Sequence, residues 1–330
     1  MDFKGKRVLV TGAGGFIASH LVERLVSEGA RVRAFVHYNA RGDAGLLRYL
    51  PAEMHSKLKI LTGDLRDVEA LRAATRDVDT VFHLGALIAI PYSYDHIREV
   101  VETNVMGSLN VMLAAREMHV RRVVHTSTSE VYGTAQYAPI DEKHPLQAQS
   151  PYSASKIGAD KVVESLVDSF NVPIVTIRPF NTYGPRQSAR AIIPTVITQA
   201  MTRNEVHLGN LEPMRDFTFV SDTVEGFLMA AKADDSIVGE AINLGTGTTV
   251  RIGDLVTMIF KLLNKQPKII TESQRLRPPK SEVLKLQSNN MKARERIGWV
   301  PLVSLEEGLR QTISWISDNL PDYQPDEYVK

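Results

Sequence analysis

The sequence predicts an α/β fold in which a doubly wound parallel sheet carries a smaller C-terminal lobe. Three observations carry this prediction. Short β-branched runs alternate with helical patterns, a glycine-rich turn follows the first run, and a Tyr and a Lys stand four residues apart in a later helical stretch. Such alternation builds a parallel sheet with helices on both faces, because each parallel crossover returns the chain through a helix. The 330 residues can bury a large core and suit two lobes better than one.

The strand candidates run from Val8 to Thr11, Arg31 to Val36, Lys59 to Leu61, Thr80 to Leu84, Val120 to Ser127 and Val172 to Arg178. Helical patterns fill the gaps, notably Val100 to Met118 and Tyr152 to Phe170. The first strand leads into Gly12-Ala-Gly-Gly15-Phe16-Ile17-Ala18 and then a helical pattern through Leu21, Leu25 and Val26. Strand, glycine turn and helix in that order are the context of a dinucleotide fingerprint, so the sheet reads as Rossmann-type. Gly12 allows the tight turn, Gly15 lets a pyrophosphate approach backbone N–H groups at the helix N-terminus, and Ala18 keeps helix and strand close. Phe16 and Ile17 join Gly12 and Gly15 as cofactor-binding candidates.

After Arg178 the pattern loosens into Pro179-Phe-Asn-Thr-Tyr-Gly-Pro185-Arg186, then a helix near Ile193 to Thr202, and it tightens again around Phe217 to Ala231. Residues 1–178 are therefore expected to form the dinucleotide-binding domain, with 217–245 returning to it. Residues 179–216 and 246–330 are expected to form the substrate lobe. The sequence has no internal repeat, low-complexity tract or flexible linker.

A net charge of +1 argues against a polyanion-binding surface, so neither nucleic acid nor a membrane is an expected partner. The chain has no cysteine, which removes disulfides, thiolate catalysis and thiolate metal sites, and no metal is expected. The N-terminus enters a strand without the apolar stretch of a signal peptide, and no apolar run approaches the length of a membrane helix. A cytoplasmic enzyme is the expectation.

Tyr152-Ser-Ala-Ser-Lys156 follows the hydroxyl-rich run Thr126-Ser-Thr-Ser-Glu130. On a helix the four-residue spacing stacks Tyr and Lys on one face, where an ammonium can lower the phenol pKa and make Tyr152 a usable base. That chemistry suits hydride transfer.

These motifs, with Gly63-Asp64, His83-Leu84-Gly85-Ala86, Asn104, Arg178 to Arg186, Arg215-Asp216-Phe217 and Arg277-Pro278, run nearly the length of the chain. In them the sequence resembles the extended short-chain dehydrogenases/reductases of the nucleotide-sugar epimerase and dehydratase family. The resemblance implies that Thr128 hydrogen-bonds the sugar 4-hydroxyl, that Tyr152 removes its proton, and that Lys156 holds both the phenolate and the cofactor ribose. It also implies an NAD or NADP molecule, tightly bound and recycled, with Asp64 and Leu65 near the adenine and Leu84 and Ala86 along its path. His83 reads better as a packed core histidine. Where an Asp normally ends the second strand, the chain has Val36-His37-Tyr38-Asn39 with Arg33 and Arg41 nearby, which leaves NAD versus NADP open and makes His37 a cofactor candidate.

Arg186, Arg215 and Arg277 suit a diphosphate, because a guanidinium fork binds phosphate oxygens bidentately and stays charged. With Asn181 as a further donor they suggest a nucleoside-diphosphate sugar. Glu130 discriminates among reactions: a 4-keto sugar acidifies its C5 proton, and a carboxylate there can remove it and drive loss of the C6 hydroxyl. Relatives that dehydrate usually carry Asp just before this Glu, whereas this chain has Ser129, and the Ser-Glu pair also resembles UDP-glucuronate decarboxylases. His37-Tyr38-Asn39 and Leu208 to Phe217 look most like 4,6-dehydratases acting on UDP- or GDP-N-acetylglucosamine in legionaminic-type sugar synthesis. Thr128, Ser129, Glu130, Tyr152 and Lys156 thus form the expected catalytic set, with decarboxylation and 4-epimerisation as alternatives. A non-catalytic dinucleotide-sensing module would be expected to have lost one of Thr128, Tyr152 or Lys156, and all three are present. A homodimer is expected from the family's helix pair at 100–118 and 152–170.

Overall fold

The computed structural model describes residues 2–276 and 278–323. Six strands come first: β1 (Arg7–Thr11), β2 (Arg31–His37), β3 (Leu58–Gly63), β4 (Thr80–His83), β5 (Arg122–Thr126) and β6 (Ile174–Pro179). Four short ones follow, β7 (Asn181–Tyr183), β8 (Glu205–Leu208), β9 (Met214–Arg215) and β10 (Phe217–Phe219), before β11 (Ala241–Leu244) completes the main sheet. The remaining strands are β12 (Val250–Arg251), β13 (Lys268–Thr271) and β14 (Lys285–Leu286).

The main sheet is parallel and ordered β11-β6-β5-β4-β1-β2-β3. Its order reverses between β1 and β4, the crevice where ligands of doubly wound sheets bind. The inner strands are buried on both faces, as β4 and β6 show along their whole length. This explains their near-continuous apolar and β-branched composition.

The helices are α1 (Phe16–Ser27), α2 (Ala52–His55), α3 (Val68–Thr75), α4 (Ile90–Asp95), α5 (Ile97–Val101), α6 (Gly107–Glu117), α7 (Pro151–Phe170), α8 (Ile192–Thr202), α9 (Val220–Lys232), α10 (Ile252–Leu263), α11 (Met291–Ile297) and α12 (Leu305–Asp318). Helix α7 begins with Pro151 at its first position and a Ser150/Ser153 capping box, which sets where Tyr152 and Lys156 fall. The expected single helix over 100–118 is instead α5, a π turn at Glu102–Met106, and α6. The buried Asn104 side chain lies in that turn, donating to Leu87 O (2.9 Å) and Ser155 Oγ (2.9 Å) and accepting from Leu87 N–H (2.8 Å). Tertiary hydrogen bonds therefore select a local register that hydrophobic periodicity does not encode.

Beyond β6 the chain leaves the sheet and returns. Helix α9 packs against α1, β5 and β6, and β11 pairs with β6. Strands β7 and β10 pair with each other, β8 pairs with β13, and β9 is flanked by β12 and β14. Asp216, fully buried, ties these outer segments together by accepting from Thr246 N–H (2.8 Å), Thr246 Oγ1 (2.7 Å), Gly247 N–H (2.9 Å) and Ser288 N–H (3.1 Å). No described helix is long and apolar enough to cross a membrane.

Candidate active site

A cavity of about 940 Å³ starts at the glycine turn, passes the C-terminal ends of β2, β4 and β5, and ends between α8 and the β9 and β14 region. Its first part is a turn built for close approach. Gly12 has φ +66°, and a Cβ on it would lie 2.6 Å from Gly85 Cα at the end of β4. Gly15 precedes α1 and offers no side chain to cap it, so first-turn N–H groups of Phe16 and Ile17 are left for an anion in the cavity. The loop after β2 closes over this turn: Leu46 N–H donates to Gly14 O (2.9 Å), and a Cβ on Gly14 would come within 2.7 Å of Ala44 O. Asn39 organises that loop by accepting from Arg41 N–H (3.2 Å) and Asp43 N–H (2.9 Å). These features fit the pyrophosphate of a dinucleotide.

Gly12, Gly15, Phe16, Ile17, His37, Leu84, Ala86, Thr128, Glu130, Tyr152, Lys156, Asn181 and Arg215 all line the cavity. Asp64 and Leu65 do not. The Asp64 carboxylate is occupied by Arg66, whose hydrogen bonds (3.0 and 2.6 Å) draw its pKa down to about 2. His37 Nε2 stands 3.6 Å from Asp64 Oδ2, which puts this residue beside the β2 end of the cavity. Leu65 packs in the core under α6. His83 is a core histidine bonded to Thr11 Oγ1 (2.7 Å) and Ser108 Oγ (2.9 Å).

Three expectations need correction. Ser129 is buried and off the cavity lining, because the 3₁₀ turn Ser129–Tyr132 aims Glu130 into the cavity and its neighbour away. Arg186 is also off the lining; its Nη2 pairs with Glu23 on α1 at 2.5 Å. Arg33 turns from the β2 end to donate to Ala74 O (2.8 Å) and Arg76 O (2.5 Å) beyond α3. Arg277 lies outside the described residues.

In their place the structure brings Arg190 and Arg275 to the wall that holds Arg215 and Asn181. Arg190 lies just before α8, and burial lowers its pKa from the usual value. Arg215 Nη2 stands 3.6 Å from Glu282 Oε1, and Arg275 Nε donates to Glu272 Oε2 at 2.7 Å. Sequence reasoning missed Arg190 and Arg275, and only their cationic side chains near Arg186 and Arg277 offered a signal. Three guanidiniums facing one cavity can hold a diphosphate.

At the centre, Tyr152 and Lys156 share the inner face of α7, and both are buried. Thr128 Oγ1 accepts from Glu130 N–H (3.2 Å), which leaves its proton to donate. The expectation that Lys156 lowers the Tyr152 phenol is also corrected. Burial raises that pKa well above its ordinary value, hydrogen bonding with Thr128 draws it down, and the Glu130 charge raises it further. Lys156 Nζ is turned instead to the Thr126 carbonyl at 2.6 Å, and burial lowers its own pKa to about 8. No group of three or more His, Asp or Glu suited to a metal occurs among the described residues.

The β2 end yields a prediction on cofactor choice. Val36 is buried, so the carboxylate that tests the ribose site belongs at the exposed His37. His37→Asp is expected to raise the NAD to NADP affinity ratio by about tenfold, because a carboxylate repels a 2′-phosphate and accepts from a 2′-hydroxyl. Titrating both dinucleotides measures it, and an unchanged ratio would mean that His37 does not meet the ribose.

Known proteins are similar to this chain over most of its length. The trifunctional UDP-glucose 4,6-dehydratase/UDP-4-keto-6-deoxy-D-glucose 3,5-epimerase/UDP-4-keto-L-rhamnose-reductase of Arabidopsis thaliana is 30% identical over 325 residues, 96% of this chain. The chain spans about half of that relative's length (48%). The UDP-glucose 4-epimerase of Mycolicibacterium smegmatis is 31% identical over 316 residues, covering 94% of this chain and 98% of the relative. Among solved structures, the dTDP-glucose 4,6-dehydratase DesIV of Streptomyces venezuelae, with NAD and TYD bound, superposes with a TM-score of 0.87 at 27% identity, covering 97% of this chain and all of that one. The family model described as GDP-mannose 4,6 dehydratase matches residues 9–312, and with the glycine turn, the Tyr152/Lys156 helix face and the cationic wall in one cavity, the chain belongs to that nucleotide-sugar epimerase and dehydratase family.

Proposed function

We propose that the chain is an NAD(P)-dependent 4,6-dehydratase of a nucleotide-activated N-acetylhexosamine. The observation that carries this reading is Glu130, a carboxylate that lines the cavity beside Thr128 and Tyr152. The cavity also takes Leu208, Gly209, Asn210, Pro213 and Arg215 from the segment that looks most like N-acetylglucosamine dehydratases.

The glycine turn and the loop at 39–45 hold the dinucleotide, which when bound accepts the C4 hydride, returns it to C6 and adds a positive charge to the cavity. Arg190, Arg215 and Arg275 hold the diphosphate of the substrate. Thr128 orients the sugar 4-hydroxyl and Tyr152 takes its proton. The C4 ketone acidifies the C5 proton, which Glu130 removes. With Ser129 off the lining, Asp43 in the β2 loop and Glu282 facing Arg215, Glu130 is the described carboxylate beside Thr128. It therefore also gives that proton to the departing C6 oxygen, which leaves as water; the hydride returned to C6 is matched by a solvent proton added at C5, and Tyr152 releases the 4-hydroxyl proton to solvent, so one water is the net loss.

Incubation with UDP-N-acetylglucosamine is expected to give a product lighter by one water. Glu130→Gln is expected to accumulate the 4-keto sugar and reduced cofactor and stop there, and the wild-type product formed in deuterated water should carry deuterium that sugar recovered from the variant lacks. A variant that dehydrates at the wild-type rate would remove Glu130 as the base. The buried Ser129 favours 4-epimerisation as the second reading, signalled by a product of unchanged mass. Exposed Ile97, Val101, Met106 and Leu113 along α5, the π turn and α6 support a homodimer, which sedimentation measures.

A further inference from the structure

Beneath the catalytic pair lies a buried charged cluster that the reaction above does not use. Asp160 is one turn after Lys156 on α7 and 5% exposed. Its carboxylate accepts from Ser127 Oγ (2.8 Å), Arg178 Nη2 (2.9 Å) and Arg178 Nε (3.2 Å), with His125 Nε2 at 3.3 Å. His125 lies in β5, Ser127 just past its end, and Arg178 in β6, so one side chain ties α7 to two neighbouring strands. It does so at the level where the Thr126 carbonyl takes Lys156 Nζ. From the far side Arg178 Nη1 donates to Tyr132 Oη (3.0 Å), and that hydroxyl donates to Asn243 Oδ1 on β11 (2.7 Å).

We propose that Asp160 is a positioning residue, which keeps Lys156 in its cationic form and fixes the Thr126 to Thr128 segment against α7. The inference rests on the proposed dehydratase reading, in which a cationic Lys156 beside Tyr152 holds the cofactor ribose. An ammonium withdrawn from water sheds its proton unless a carboxylate is near, and two cations without an anion would repel. The groups around Lys156 are Tyr152 and Asp160 on α7, His125 on β5, His83 on β4, Arg178 on β6, and Glu130 beyond Tyr152. Burial holds both histidines and the Tyr152 phenol neutral at pH 7. Asp160 is itself held well below the usual carboxylate range: burial pushes it up, but the His125 hydrogen bond and the Arg178 charge outweigh that. In this cluster Asp160 thus supplies the anion and Arg178 the cation that competes with Lys156 for it.

Lysine ¹³Cε NMR reads the outcome directly, with the Lys156 signal assigned by its loss in Lys156→Arg. In the wild type the midpoint is expected near 8; a midpoint below neutrality would overturn the proposal without any variant having to fold. Asp160→Asn is expected to lower it by about one pH unit, to move the alkaline limb of kcat the same way, and to leave KM in place. Arg178→Gln is expected to move it upward, and Asp160→Glu to retain it. A purely structural Asp160 would lower the melting temperature of these variants and leave the midpoint and pH profile unmoved, which also overturns the proposal. Failure to turn over any nucleotide sugar, with the midpoint shifts intact, would sink the dehydratase reading alone.

Discussion

Tyr152→Phe is expected to fold with the wild-type melting temperature and to lose turnover by about 10³-fold, the weight of a positioned proton acceptor. The ring is 7% exposed and packs on the inner face of α7, so Phe fills the same volume. What disappears is the phenol oxygen that hydrogen-bonds with Thr128. The phenol is protonated at neutral pH because burial raises its pKa, so the wild-type rate should climb with pH until Lys156 loses its own proton near 8. The residual rate of the variant should lack that limb. A pH profile of kcat for both proteins checks both parts, and wild-type activity in the variant would remove Tyr152 as the base.

Lys156→Met is expected to abolish turnover while making the protein more stable at pH 7. Burial moves the ammonium from 10.5 to about 8, which corresponds to a cost of about 3 kcal/mol. Between those pH values the unfolded chain holds a proton that the folded chain has released, so wild-type stability rises with pH across that window and the cost is complete below pH 8. Methionine avoids that cost but leaves the Thr126 carbonyl without its donor, worth about 1 kcal/mol. The net gain is about 2 kcal/mol near neutrality, shrinking towards pH 10. Urea denaturation at the two ends of the window measures it, and a less stable variant at pH 7 would mean that attraction to Asp160 exceeds the burial cost.

Residues whose role is set by local spacing were legible in the sequence. Gly12 and Gly15 follow a strand and open a helix, and Tyr152 and Lys156 fall on one helix face, so their meeting in one cavity needs only the strand order. Residues whose role depends on where a loop lands were not. Arg186 and Arg190 are four apart in one irregular segment, yet the first pairs with Glu23 and the second lines the cavity. Ser129 and Glu130 are adjacent, and a single 3₁₀ turn sends them to opposite environments. The π turn at Glu102–Met106 answers to Leu87 and Ser155, distant in sequence, and so leaves no trace in the local pattern. Asp160 is legible in the same way as Tyr152 and Lys156, since it continues their inward stripe by one more turn.

The seventh strand of the main sheet has a consequence for how the chain is made. Strand β11 lies at 241–244, more than sixty residues after its neighbour β6, and the outer segment 181–219 is threaded between them. A ribosome releasing this chain in order therefore exposes β6, a strand buried at every position in the finished protein, as an open edge until residue 244 has emerged. An edge of that kind pairs readily with other chains. The nascent protein thus carries an open, apolar strand edge midway through synthesis, and a fragment cut after residue 178 would carry it permanently.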